Sequence, residues 1–341
     1  MPFSLAPLTK PLASLALALG ISLAAPSHAL NIVLTNDDGW NTDNIQTLFK
    51  HLKAAGHEVV LSGPCTGQSG KGGALNFLRP VSIDTSKASK DQYCVGDTDT
   101  SVAFKDFSEG TPVMAALYGI DVGAQAKWGK EPDLLISGPN EGNNLGYLNN
   151  NSGTLGAAMI AIARGIPAIA VSAADGDAAK AEVVSALVVD IIKQLEQKRP
   201  KDQPLLPAFT GLNVNTPKDP AKHRGIKFTD VGWNAGGIDP IFTQDLSSSP
   251  VALQYAAAGI AKAKGVDMST AMKIAQQQFA NKPGMSFSMG SNKVADNAEN
   301  SEGVAVQAGY VTISTIDANV QASRDKVAQT KKKLKDLAKK Q

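Results

Sequence analysis

The chain has 341 residues, of which 43% are hydrophobic and 19% charged, and a formal net charge of +2. That balance can bury a sizeable core and excludes a disordered or collagen-like polypeptide. Aromatic residues make up only 5% while glycine occurs 31 times, so tight turns and close backbone approaches must be frequent. The length accommodates one large α/β domain or two domains.

Residues 1–29 read as a secretory leader. Lys10 precedes an uncharged apolar run from Leu12 to Ala25, and Pro26-Ser27-His28-Ala29 follows, with cleavage expected after Ala29. The run is shorter than the roughly 20 residues that a spanning helix needs, so no membrane span is expected. The mature chain of 341 − 29 = 312 residues loses Lys10 and carries +1. Residues 326–341 hold seven Lys and one Asp, which leaves the body near +1 − 6 = −5. A stable nucleic-acid complex is excluded for so acidic a body, and the Lys-rich tail reads as a solvated helix or a loose end. The expected location is the periplasm or the exterior.

From Leu30 an apolar strand runs to Thr35, Asn36-Asp37-Asp38-Gly39 forms a loop, and Ile45, Leu48, Phe49 and Leu52 mark one face of a helix. His57 to Ser62 supplies the next strand and completes a βαβ unit. The alternation returns with a buried strand over 132–137, an Ala-rich helix over 153–164, a strand over 166–172 and a long amphipathic helix over 181–197. Residues 209–215 and 225–231 read as strands, and 309–316 returns to strand alternation. Between Trp233 and Glu302 lie two helical stretches, 250–264 and 269–280, joined by Gly/Ser/Asn-rich segments. The predicted architecture is α/β, a Rossmann-like, doubly wound, mostly parallel sheet over residues 30–325. Residues 233–302 form an insert or oligomerisation arm, and 326–341 a Lys-rich tail.

Asn36-Asp37-Asp38-Gly39 follows an apolar strand, where open α/β sheets place their ligands. Adjacent carboxylates repel each other, and a divalent cation between them relieves that repulsion. A turn of Asn, Asp and Gly is by itself common; a second loop raises its significance. Ser137-Gly138-Pro139-Asn140-Glu141-Gly142-Asn143-Asn144-Leu145-Gly146 follows another buried strand, and Ser152-Gly153-Thr154 opens a helix. Asn carbonyls are hard oxygen ligands, and a helix N-terminus with nearby hydroxyls receives an anion. His51, His57 and His223 are scattered, which argues against a His-based metal site or a Ser-His-Asp triad. Cys65 and Cys94 are the two cysteines of the chain and in an exported protein are expected to form one disulfide, the alternative being two buried thiols.

These stretches, together with Gln68-Ser69-Gly70, Gly110-Thr111-Pro112, residues 152–158 and Gly309-Tyr310-Val311-Thr312-Ile313, resemble the SurE family of metal-dependent nucleotidases, in the same order and over nearly the whole mature chain. The resemblance implies hydrolysis of nucleoside 5′- and 3′-monophosphates or other phosphate monoesters with Mn²⁺ or Mg²⁺, in a homo-oligomer, dimer or tetramer. It implies Asp37, Asp38, Ser69 and Asn140 as metal ligands, with Asp37 and Asp38 also catalytic. Asn36, Gly39, Asn144, Ser152, Gly153 and Thr154 would surround the substrate phosphate. The attacking group stays open between metal-bound hydroxide and a carboxylate. The alternative function is an exported binding protein that captures a phosphorylated ligand without hydrolysing it.

Overall fold

The structure, a computed structural model, describes residues 1, 29–98, 106, 108–173, 178–290 and 296–337. The expected leader lies almost wholly outside the described residues, as does the end of the Lys-rich tail. In chain order the described elements are β1 (Asn31–Thr35), α1 (Asp43–Ala54), β2 (Glu58–Pro64), β3 (Ile83–Asp84), β4 (Gln92–Val95), α2 (Pro112–Tyr118), α3 (Gln125–Trp128) and β5 (Leu134–Asn140). They continue with α4 (Gly153–Ala163), β6 (Ala168–Ser172), α5 (Ala178–Lys198), β7 (Thr210–Asn215), β8 (Ile226–Thr229), β9 (Ile238–Thr243), α6 (Pro250–Lys264), α7 (Met268–Phe279), β10 (Gly284–Met289), α8 (Glu302–Gln307), β11 (Val311–Asp317) and α9 (Arg324–Leu334).

Nine strands form one sheet in the order β3-β4-β2-β1-β5-β6-β7-β11-β8. The six from β4 to β7 run parallel, β3 is antiparallel at one edge, and β11 is antiparallel to β7 but parallel to β8. Because successive side chains on a strand point to opposite faces, β1 sends Ile32 and Leu34 into the layer under α1 and α5, and Val33 into the layer under α2 and α4. Both layers are apolar, so the central strands carry continuous hydrophobic runs. Helices cover both faces of a mostly parallel sheet, as predicted.

Two features differ from the expectation drawn from sequence. Short strands β3 and β4 extend the sheet beyond β2; the disulfide itself is the expected one, joining Cys94 on β4 to Cys65 just past the end of β2. Residues 233–302 contain more than helices: β9 and β10 pair as an antiparallel two-stranded ribbon with α6 and α7 between them. The chain leaves the sheet after Asp230 and returns at Ser301, and those two residues form a β-bridge. No helix among the described residues is long and apolar enough to cross a membrane.

Candidate active site

The strand order changes direction around β1: β2 lies on one side and β5 on the other. A crevice opens at such a point outside the carboxyl ends of the strands, and the acidic pair sits there. Asn36 is fully buried, and its amide donates to Gly39 O (2.8 Å) and to Thr42 Oγ1 (3.4 Å). Gly39 turns with φ +121°, a backbone conformation that glycine adopts without strain. These two residues, expected beside the phosphate, thus shape the turn that presents Asp37 and Asp38.

Asp37 is 3% exposed and accepts a 2.6 Å hydrogen bond from Thr154 Oγ1. Ser152 caps α4, its hydroxyl accepting from Leu155 N at 3.2 Å. Gly153, the first residue of the helix, lies so close to Asp37 that a Cβ there would stand 2.7 Å from Asp37 Cβ and 2.8 Å from Pro112 Cγ. The carboxylate is therefore lodged against a helix N-terminus, where the partial positive charge favours an anion. Burial nonetheless pushes the Asp37 carboxyl above its ordinary value, against the pull of Thr154 and of its own amide. Asp38 Oδ2 accepts from Glu141 N at 2.9 Å. Burial first, and the negative charge of Asp37 second, push its carboxyl up to about 7.

The other predicted ligands lie on segments bonded to the acidic pair. Asn140 ends β5, and its Nδ2 donates to Gly142 O at 2.6 Å, which leaves Oδ1 as the free acceptor. Ser69 is exposed on a turn tied to the acidic pair by Gln68 N, which donates to Asp37 O at 2.7 Å. The same turn rests on α4: Gly72 N donates to Asn151 O, and a Cβ on Gly156 would stand 2.0 Å from Gly72 O. Asn144 Nδ2 donates to Thr154 Oγ1 (3.2 Å) and Ser172 Oγ (3.0 Å). With its proton directed at Asp37, the Thr154 hydroxyl positions the carboxylate instead of pointing at a phosphate.

A polar floor escaped the sequence reading. Asn215 and Asn144 exchange bonds, Asn144 N to Asn215 Oδ1 (2.9 Å) and Asn215 Nδ2 to Asn144 O (2.9 Å), and Asn213 Nδ2 also reaches Asn144 O (3.0 Å). Glu302 is fully buried and accepts four bonds, from Gly146 N, Asn149 Nδ2, Asn213 Nδ2 and Ser314 Oγ, all within 3.0 Å. Burial dominates over those donors and raises its carboxyl to about 7. A period-two pair of Asn on the otherwise apolar β7 was the available signal for this floor.

The donor chemistry suits a hard divalent cation. Two adjacent carboxylates, both raised by burial, have no ion-pair partner among the described residues, and an amide oxygen and a hydroxyl stand on the neighbouring loops. Among the described residues no three His, Cys, Asp or Glu side chains cluster for a metal; Asp37 and Asp38 are two residues of those types, and Ser69 and Asn140 are of others.

Residues 32–237 match the model of the family described as Survival protein SurE. The chain belongs to the SurE family. It is 33% identical over 202 residues to a protein named 5′-nucleotidase SurE from Thermosipho melanesiensis, covering 59% of this chain and 70% of that one. The namesake from Aquifex aeolicus is 36% identical over 204 residues, 60% of this chain and 72% of that one. A protein named acid phosphatase from Yarrowia lipolytica is 35% identical over 205 residues, 54% and 56% of the two chains. The crystal structure of the Aquifex aeolicus SurE protein superposes with a TM-score of 0.62 at 27% identity, covering 89% of this chain and 99% of that one. Every predicted ligand lies within the SurE-matched span, whereas Glu302 lies beyond it.

Proposed function

We propose that this SurE-family chain is an exported, divalent-metal-dependent phosphomonoesterase that releases phosphate from nucleoside 5′- and 3′-monophosphates and related esters. The carrying observation is the adjacent pair of buried Asp37 and half-buried Asp38 at the switch between β1 and β5, with Asp37 pressed against Gly153 at the N-terminus of α4. Paired carboxylates repel a bare phosphate; with Ser69 and Asn140 they would hold Mn²⁺ or Mg²⁺. When bound, that ion supplies charge neutralisation and polarises a phosphoryl oxygen.

The division of labour follows from the surroundings. Asp37, enclosed and held by Thr154, is fixed in place. Asp38 is partly exposed and has one oxygen on Glu141 N; of the two it is the carboxylate that can take a proton from the attacking oxygen. Free amides in the first turn of α4 receive phosphate oxygens. The names of the bacterial relatives and of the yeast phosphatase support the activity, and the Cys65–Cys94 bridge supports an oxidising compartment. Exposed Phe242, Met285 and Met289 on the β9/β10 ribbon support a dimer or tetramer.

The test is phosphate release from a panel of nucleoside monophosphates and simple esters, with Mn²⁺, with Mg²⁺ and after exhaustive chelation. Chelation should abolish turnover, and Asp38→Asn should lower kcat by roughly 10² or more with the fold intact. Full turnover in chelator would remove the metal from the mechanism, and phosphate binding without turnover under every condition would favour the binding-protein alternative.

A further inference from the structure

Glu302 is a buried carboxylate with no direct link to Asp37 or Asp38, and its surroundings show what its charge serves. It starts α8, directly after the chain returns from the 231–300 excursion. Oε1 accepts from Gly146 N (3.0 Å) and Asn149 Nδ2 (3.0 Å); Oε2 accepts from Asn213 Nδ2 (2.9 Å) and Ser314 Oγ (2.9 Å). Two of the four donors belong to the segment 144–154, and a third, Asn213, also donates to the Asn144 carbonyl. The ends of that segment meet, because Asn144 Nδ2 donates to Thr154 Oγ1 and Thr154 donates to Asp37. Residues 144–154 thus form a closed loop, fastened to Asp37 through Thr154 where its ends meet and gripped in its middle by Glu302.

An isolated carboxylate is costly to bury, and an apolar side chain of similar volume serves a core at least as well. The carboxylate suits this position because it offers acceptors on both sides and no donor. We propose that Glu302 is a positioning residue for phosphate binding: its carboxylate holds the 144–154 loop, and with it the backbone amides that open α4, in the arrangement that receives the substrate phosphate. This rests on the phosphomonoesterase reading of the same site. Glu302 itself touches no substrate.

Glu302→Gln tests it at constant shape. Whichever way the amide turns, its NH₂ confronts a donor, Gly146 N and Asn149 Nδ2 on one side or Asn213 Nδ2 on the other, where the Ser314 hydroxyl can turn to accept. KM for a nucleoside monophosphate and the inhibition constant for inorganic phosphate should both rise about tenfold, while kcat changes less than about threefold. Amide exchange at 146–155 should accelerate while the β1 and β5 amides keep their protection. Asn149→Ala, which leaves three donors on the carboxylate, guards against misfolding of the first variant and should raise KM about threefold. A purely structural role predicts a lower Tm with unchanged KM in the folded fraction. That result overturns the proposal, as does faster loop exchange with unchanged phosphate inhibition. Failure of the wild-type protein to release phosphate from any ester overturns the functional reading instead, and the exchange data still report whether the grip exists.

Discussion

Replacing Gly153 by Ala is the sharpest probe of the site, because the space there is already filled. A methyl at that position would stand 2.7 Å from Asp37 Cβ, 2.8 Å from Pro112 Cγ and 3.0 Å from Asp37 Oδ2. Carbon atoms rest about 3.5–4.0 Å apart, so the helix start and the carboxylate must separate by close to 1 Å, or Pro112 must move as well. Ala is the better helix former by roughly 1 kcal/mol in a helix interior, while overpacking costs about 1–3 kcal/mol. The net destabilisation is then about 1 kcal/mol, and the variant folds. Misplacement by 1 Å can cost on the order of 10² in rate, so kcat/KM should fall by about that factor with only a small drop in Tm. Steady-state kinetics beside thermal denaturation measures both. Wild-type turnover in a folded Gly153→Ala protein would refute the claim that Asp37 works pressed against the α4 N-terminus.

Thr154→Val removes the donor to Asp37 but keeps the shape; since that hydroxyl faces the carboxylate, kcat should fall more than KM rises, and the reverse split would return the hydroxyl to the phosphate. Asp38 and Glu302 are both held near 7 in the folded protein against ordinary values of 3.8 and 4.5. The folded state therefore binds these protons more tightly than the unfolded chain does. Their contribution to stability is full below the ordinary values and is lost as pH climbs towards about 7. In metal-free protein Asp38→Asn should flatten this decline in thermal melts taken between about pH 4 and pH 7, and a variant that leaves the slope unchanged contradicts the assignment. Replacing Cys65 and Cys94 by Ala opens a loop spanning 29 positions and should cost roughly 3 kcal/mol on the chain-entropy model, read as a lower urea midpoint; an unmoved midpoint would show that packing alone carries that edge of the sheet.

The parts of the molecule legible in the sequence are those whose pattern is local. The β1–α1–β2 unit shows apolar runs and one helical face, and the α4–β6–α5 stretch shows the same change of period. The adjacent pair Asp37 and Asp38 and the Ser152 cap are contiguous motifs, so their positions at a strand end and a helix start followed directly. Strands β3 and β4 have two and four residues, too few to display an alternation. The ribbon strands β9 and β10 lie largely at the surface on both faces and pair only with each other; β10 alternates Met285, Phe287 and Met289 with Ser286 and Ser288, but its apolar side chains are the exposed set and its Gly and Ser content reads as a joint, while Pro240 argues for loop in β9. Glu302 meets Asn213 across 89 positions; in one dimension it is an acidic residue in a polar joint, and only the fold brings it under the 144–154 loop. Asn36 went the other way, its place in a motif suggesting contact with substrate when its amide is enclosed by the turn.

The bridge between Asp230 and Ser301 brings together two points of the chain some seventy positions apart, and further bonds tighten it: Asn300 Nδ2 to Asp230 Oδ2, Asp230 N to Asn300 O, and Glu302 N to Asp230 O. A segment whose ends already touch can be lengthened, shortened or exchanged with little penalty to the rest, since closing a longer loop across the same gap adds entropy only logarithmically. The excursion is thus a natural place for lineages to vary ribbon and helices while the sheet and its crevice stay as they are. A graft should keep 231–239 and 296–300, where Asn234 packs on Gly146 and Gly303, Asp239 takes the Tyr147 hydroxyl and Asp296 holds Trp233 and Asn234. Swapping what lies between for a relative's counterpart should leave the nine-stranded body folded, making this the seam along which new quaternary arrangements can be tried without disturbing the acidic pair.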